Sequence, residues 1–312
     1  MVGPRPPVAY VAITDRDWLE HLRHMPNLDE VNFWQPSPHG FGALRVGEPF
    51  LFKLHARHGG RIAGVAFFLR YTVLPTSMAW EAFGEKNGAD TIYEMKARIR
   101  RYRQPSSLPL DEPIGCIMLT EPIFFREADW FDPPDWKQNI QTGASYRLDT
   151  AAGRLLWSHA EQAMAGANPE PVFAVSEAQR KYGSPVLMHP RLGQGSFQAA
   201  VFDAYGRRCS ITGEKVVPTL EAAHIRPYGR GGEHRIDNGL LLRRDIHALF
   251  DRGYITVKPD LEIVVSHRLK SEFDNGQEYS VFHGTQLRPP NRPEHVPSAT
   301  FLEWHNETCF VA

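Results

Sequence analysis

Apolar and polar positions divide the chain into two halves of different character. In the first half, short runs rich in β-branched and aromatic residues alternate with turn signals. The runs are AYVAIT, FGALRV, PFLFKLHA, RIAGVAFFLRYTVL and IGCIMLTEPIFF, and SPHG, VGEP and RHGG lie among them. Such runs, bounded by Gly, Pro and Ser, read as strands. Two stretches with apolar residues at helical spacing interrupt them: DRDWLEHLRHM, behind an Asp N-cap, and ADTIYEMKARIRRYR. Many short strands with few helices predict a small β-barrel decorated with helices.

Near residue 150 the pattern changes. TAAGRLLWSHAEQAMAG and SEAQRKYG read as helices joined by ANPEPVF, giving a helical linker over 151–190. From RLGQGSFQAAVFDAYGRRCSITG onward the expected order is a helix, then CSITG, a hairpin-like segment and a short helix. The strands YITV and LEIVVS follow, and the tail TFLEWHNETCFVA is expected to pack back on this part. The expected class is α+β, with domains over 1–150 and 191–312.

Composition narrows the function classes. The chain has 312 residues, 42% apolar and 23% charged, enough for two domains with their own cores. No run approaches eighteen apolar residues, and MVGPRPPVAYVAIT lacks the basic-then-apolar order of a signal peptide. The expectation is a cytoplasmic protein with no membrane partner. Cys116, Cys209 and Cys309 are too widely spaced for a zinc knuckle, so no structural zinc is expected. A formal charge of −1 argues against a globally basic coat but leaves room for a local phosphate-binding patch.

The chemistry concentrates in EAAHIRPYGRGGEHRIDNGLLLRRDIHALFDRG, residues 221–253. His224 ends a run with strand character, Asn238 follows a glycine-bearing loop, and His247 falls in a helical stretch. A neutral imidazole can accept a proton near pH 7, and a second can hold a divalent metal. Asn238 lies in Asp-Asn-Gly, which favours a turn in any fold. His234, in the polar loop, reads as a solvated side chain.

This segment resembles the HNH endonuclease family, whose ββα-metal core carries histidine, asparagine and histidine in this order. The resemblance extends over roughly residues 185–312, and within it RLGQGSFQAAVFDAYGRRCSITG looks like the lead-in helix and first strand of restriction-type HNH modules. It implies hydrolysis of a DNA phosphodiester, with His224 as general base, Asn238 bracing the loop and His247 on the metal. Many family members have aspartate directly before the first histidine, where this chain has Ala223. Glu221 is expected to supply the second metal ligand instead, with Asp245 as the fallback. One Mg²⁺ or Mn²⁺ per active site is expected, and Arg226, Arg230, Arg243 and Arg244 are candidate phosphate contacts.

The run FGALRVGEPFLFKLHARHGGRIAGVAFFLRYTVLP is similar to PUA-superfamily barrels of the EVE and ASCH kinds. That similarity implies a reader that holds an extruded base in an aromatic pocket. Asn32, Trp34, Ser77 and Trp80, from EVNFWQPS and TSMAWEAFG, are the candidate pocket residues, although aromatics at such places also fill cores. KARIRRYRQ, residues 96–104, reads as a basic helix that either follows a DNA backbone or is a solvated face.

The combined expectation is a restriction-type, metal-dependent endonuclease acting as a homodimer on double-stranded DNA. The DNA would carry a modified base, modified cytosine being favoured. Two other readings stand beside it. One is a nuclease for unmodified DNA whose first domain reads sequence or docks a protein. The other is a non-catalytic nucleic-acid reader with a degenerate site.

Overall fold

The computed structural model describes residues 5–103, 111–167, 192–274 and 276–312. The chain divides into two compact units, residues 1–196 and 197–312. The architecture is α+β.

Unit 1 is built on one six-stranded sheet. Its strands are β1 (Val8–Thr14), β2 (Glu30–Gln35), β3 (Pro49–Leu54), β4 (Ile62–Pro75), β5 (Pro113–Phe124) and β6 (Gly143–Arg147). They lie in the order β2-β5-β4-β3-β1-β6, antiparallel except for the parallel pair β1–β3. Because β2 and β6 are edges, the sheet is open, and the closed barrel expected from the strand pattern is corrected to that extent. β4 and β5 are the longest strands, and their register shifts at Val65/Phe67 and Phe68/Arg70. Such bulges bend and twist a strand pair, which curves the sheet without closing it.

One apolar core unites this sheet with two helices. Phe50, Phe52, Leu54 and Val65 from the strands pack with Trp18, Leu19 and Leu22 of α1 (Arg16–Arg23). Leu156, Ala160 and Ala163 of α4 (Ala151–Ala167) join the same cluster. The beginning of the expected linker is therefore a helix packed on unit 1. Residues 168–191, with SEAQRKYG and nearly all of ANPEPVF, lie outside the described residues. FGALRV is a loop rather than a strand. Leu44 is buried there, and the Glu48 carboxylate holds the loop by accepting from the Val8 and Arg45 amides at 3.0 and 2.7 Å.

Two further helices, α2 (Thr76–Phe83) and α3 (Ile92–Arg101), lie between β4 and β5. Thr91 caps α3 by accepting from the Glu94 amide, while Glu94 accepts from the Asp90 amide, a near capping box. The first six residues of the expected basic stretch over 96–104 thus lie in α3, whose Met95 and Ile99 are buried; Gln104 lies outside the described residues.

Unit 2 follows from α5 (Gln194–Ala204), which carries Phe197. CSITG forms a turn and not the expected strand. There the buried Cys209 thiol accepts from the Thr212 and Arg243 amides, each at 3.3 Å. β7 (Leu220–His224) pairs antiparallel with β8 (Gly239–Arg243), His224 opposite Gly239, and α6 (Arg244–Asp251) continues directly from β8. The apolar GLLL thus forms a strand between the loop and the helix. A second hairpin, β9 (Ile255–Val257) and β10 (Ile263–Val265), precedes the short helices α7 (Arg268–Phe273) and α8 (Gln277–Ser280).

The tail forms α9 (Ala299–Thr308) and packs back on this unit. Its His305 is 2% exposed, stacks on Phe250 with centroids 3.8 Å apart, and donates from Nε2 to the Phe250 carbonyl. Burial pushes the His305 pKa down to about 4.

Candidate functional site

The β7–β8 hairpin and α6 bring Glu221 and His247 together. One Glu221 oxygen lies 2.8 Å from His247 Nδ1, and the other lies 3.0 Å from Arg244 Nε. His247 Nε2 faces the Asp251 carboxylate at 3.3 Å, one helical turn on. The alternative ligand Asp245 is engaged elsewhere: Arg243 grips both its oxygens at 2.6 Å, and Tyr279 adds a third contact. The Arg243 guanidinium holds the Asp245 carboxyl below the usual carboxylate range. Among the described residues, no group of three or more His, Cys, Asp or Glu side chains is placed to hold a metal. The pair Glu221 and His247 offers one carboxylate and one imidazole.

Asn238 is fully buried and clasps the loop between the two strands. Its Oδ1 accepts from the Arg226 amide, and its Nδ2 donates to the carbonyls of Arg226 and Glu233, all at 2.9 Å. Its own carbonyl accepts from the Ile225 amide. Gly232 makes this clasp possible, since a Cβ there would fall 1.8 Å from the Arg226 carbonyl oxygen.

His224 is placed by the start of α5 and by the loop. Its ring lies on Phe197, centroids 3.9 Å apart and 13° from parallel. Its Nε2 is 3.0 Å from Nδ1 of His234, whose ring is stacked on Tyr228. Burial, then the neighbouring imidazoles His234 and His247, pushes the His224 pKa down to about 4. At neutral pH the ring is therefore uncharged and able to accept a proton.

Residues 209–258 match the family described as HNH endonuclease. Unit 2 therefore carries an HNH endonuclease domain. A search of the curated proteins finds none that matches the chain. A solved structure, "Modification dependent TagI restriction endonuclease", matches at 18% identity over 83% of this chain and 61% of that one. The chain thus spans less than two thirds of that structure's length. The TM-score is 0.26, too low to establish a shared overall fold.

The expected phosphate contacts of the HNH domain occupy different situations. Arg243 is tied to Asp245 and Arg244 to Glu221. Arg226 donates to the Arg230 carbonyl and lies over the Trp304 ring, while Arg230 is exposed in the loop. The reading of His234 as a solvated side chain missed its bond to His224. Its position two residues after the glycine pair was the available signal, because such a turn can fold a loop back onto the preceding strand.

Unit 1 contains a cavity of about 320 Å³ beside β1 and β2. Tyr10, Trp18, Phe33 and Trp34 supply aromatic walls, and Asp15, Gln35, His55 and Tyr102 supply polar ones. Asp15 precedes α1 but does not cap it; its oxygens instead accept from the Tyr102 hydroxyl at 2.7 Å and face His55 Nε2 at 3.2 Å. Trp18 Nε1 and Gln35 Oε1 are buried without a hydrogen-bond partner among the described residues.

Of the four residues expected in the base pocket, Trp34 lines this cavity, its indole N–H donating to the Asn87 carbonyl. Asn32 is buried against Asn87 and Cys116, Ser77 bonds to Asp111, and Trp80 lies on α2; none of these three lines the cavity. A second hollow shares Asp15, His55 and Tyr102 with the first and is ringed by Arg16, Arg57, Arg98 and Arg101.

Proposed function

We propose that the protein is a divalent-metal-dependent DNA endonuclease of restriction type. Its HNH domain would hydrolyse a phosphodiester while unit 1 reads a modified base extruded from the duplex. The observation that carries the first part is the placement of His224, Asn238, Glu221 and His247 on one short hairpin and its following helix.

His224, neutral at working pH, would take a proton from the attacking water. A carboxylate and an imidazole form a donor pair that Mg²⁺ or Mn²⁺ accepts, with water and phosphate completing the shell. Glu221 and His247 would hold that cation, which would supply charge stabilisation at the scissile phosphate. Arg230, exposed in the loop, and Arg244, beside Glu221, would meet flanking phosphates. One such site cuts one strand, so double-strand cleavage calls for two copies of the chain.

The second part rests on the aromatic cavity. Its size is at the lower end of small-molecule sites, about 300–1,000 Å³. Extruding a base costs a few kcal/mol, and stacking on aromatic side chains returns about 1–3 kcal/mol per base, so polar contacts must make up the rest. A wall carboxylate such as Asp15 suits the exocyclic amine of a cytosine, which is a donor. The neighbouring arginine-ringed hollow would seat the backbone beside the extruded nucleotide.

The test is cleavage of plain, methylated, hydroxymethylated and glucosylated plasmid with Mg²⁺ or Mn²⁺. Preferential cutting of one modified form, abolished by His224→Ala with DNA binding retained, is the expected result. Trp34→Ala should weaken the preference. Equal cutting of all four substrates would remove the modified-base reading. No cutting of any, with no metal bound near His247, would instead favour a non-catalytic reader.

A further inference from the structure

We propose that His234 is a positioning residue for the general base. It would accept the Nε2–H of His224 at its own Nδ1 and so fix the tautomer in which His224 Nδ1 is left to act. This inference rests on the nuclease reading of the same site and adds a residue to it.

Two ring nitrogens 3.0 Å apart leave room for one proton between them, so one ring donates and the other accepts. Each ring is held in plane by an aromatic partner, His224 by Phe197 at 13° and His234 by Tyr228 at 9°. The two stacks define the pair's geometry before any substrate arrives. Nδ1 of His224 makes no hydrogen bond among the described residues. If His234 donated instead, the only lone pair of His224 would be occupied by that bond, and the ring could not take a proton from water.

With His224 as donor, the proton passes from the water oxygen to His224 Nδ1. The Nε2 proton stays where it is, in a bond that becomes charge-assisted as the imidazolium forms. No proton leaves the pair during the attack. His234 thus plays toward His224 the part that an orienting acceptor plays toward a catalytic histidine in hydrolytic triads.

The experiment uses the full-length, metal-free chain with ¹⁵N-labelled histidine. Long-range ¹H–¹⁵N correlation reads the tautomer of His224 directly. The expected result is the Nε2–H form in the parent protein and in His234→Asn, whose side-chain oxygen occupies the position of the lost Nδ1. His234→Leu should give a mixture of tautomers. In plasmid cleavage, His234→Leu should lower kcat by about 10–100-fold, the usual effect of removing an outer orienting partner, with KM little changed. His234→Asn should restore most of the loss.

An Nδ1–H tautomer in the parent protein would overturn the proposal without reference to any variant. A pure Nε2–H form in His234→Leu, or cleavage by that variant within about twofold of the parent, would overturn it as well. A parent protein that cuts no DNA defeats the nuclease reading, and the tautomer measurement still decides whether His234 orients His224.

Discussion

Asn238→Ala isolates the clasp that holds the loop carrying the base. The side chain is wholly buried and makes three hydrogen bonds to the backbone of Arg226 and Glu233, each at 2.9 Å. At a net value of about 1 kcal/mol each, their loss amounts to about 3 kcal/mol, and more where the stranded amide and carbonyls stay dry. Local opening of residues 225–233 should therefore rise on the order of a hundredfold.

Hydrogen exchange followed by mass spectrometry, on the full chain, measures this directly. Peptides spanning 225–238 should lose protection, while those over β9 and β10 keep it. Asn238→Asp sharpens the case, because its carboxylate can still accept from the Arg226 amide but presents oxygen to two carbonyls. It should be at least as damaging as alanine. Unchanged protection of the loop in Asn238→Ala would refute the clasp.

Two other perturbations follow from packing. His305 has a folded pKa of about 4 against an ordinary value near 6.5, so its contribution is complete above pH 6.5 and is lost as pH falls toward 4. Urea denaturation at pH 4.5 should show about 2–3 kcal/mol less stability from this group than at pH 7.5. His305→Phe should remove that part of the slope; an identical slope in the variant would contradict the assignment. At Gly239 an added Cβ would lie 2.5 Å from Val201 and 3.0 Å from Phe197. Gly239→Ala should cost about 1–3 kcal/mol in the same assay, with no destabilisation counting against the close approach.

The sequence was most legible where local pattern and tertiary role agree. In unit 2 the order of strand, loop and helix around His224, Asn238 and His247 could be read, and so could Glu221 as a carboxylate near His247. The strand at Gly239–Arg243 is hard to tell from a helix start because GLLL carries no alternation, as in any strand buried on both faces. FGALRV misled for a related reason: Phe41 and Leu44 are apolar because they pack into the core from a loop. CSITG has strand composition, but its cysteine thiol gathers two amides and closes a turn, which no propensity records.

The cavity in unit 1 was only partly visible. Trp34 could be chosen by its polar neighbours, but Tyr10, Asp15, His55 and Tyr102 converge from separate elements. Asp15 reads as a helix cap, which is the commoner use of an aspartate at that place. His234 reads as solvated from its polar surroundings, and only the folded-back loop shows its ring against His224. In both cases the missing information was long-range geometry.

The low pKa of His224 follows from the same packing that positions it, and it bears on how the proposed reaction would start. A ring pressed on Phe197 and flanked by two imidazoles loses its charged form, leaving a base that is neutral but weak. Proton transfer is most effective when the base has a pKa near the working pH. A phosphate brought within about 4 Å changes the balance: at an effective dielectric of about 20 the attraction is on the order of 4 kcal/mol, or about three pKa units. Starting from about 4, that would carry the His224 pKa up toward the working pH as DNA seats. A cation at Glu221 and His247 acts in the opposite sense and trims the gain. The base would thus be weak while the site is empty and strengthened by the substrate it is to cut.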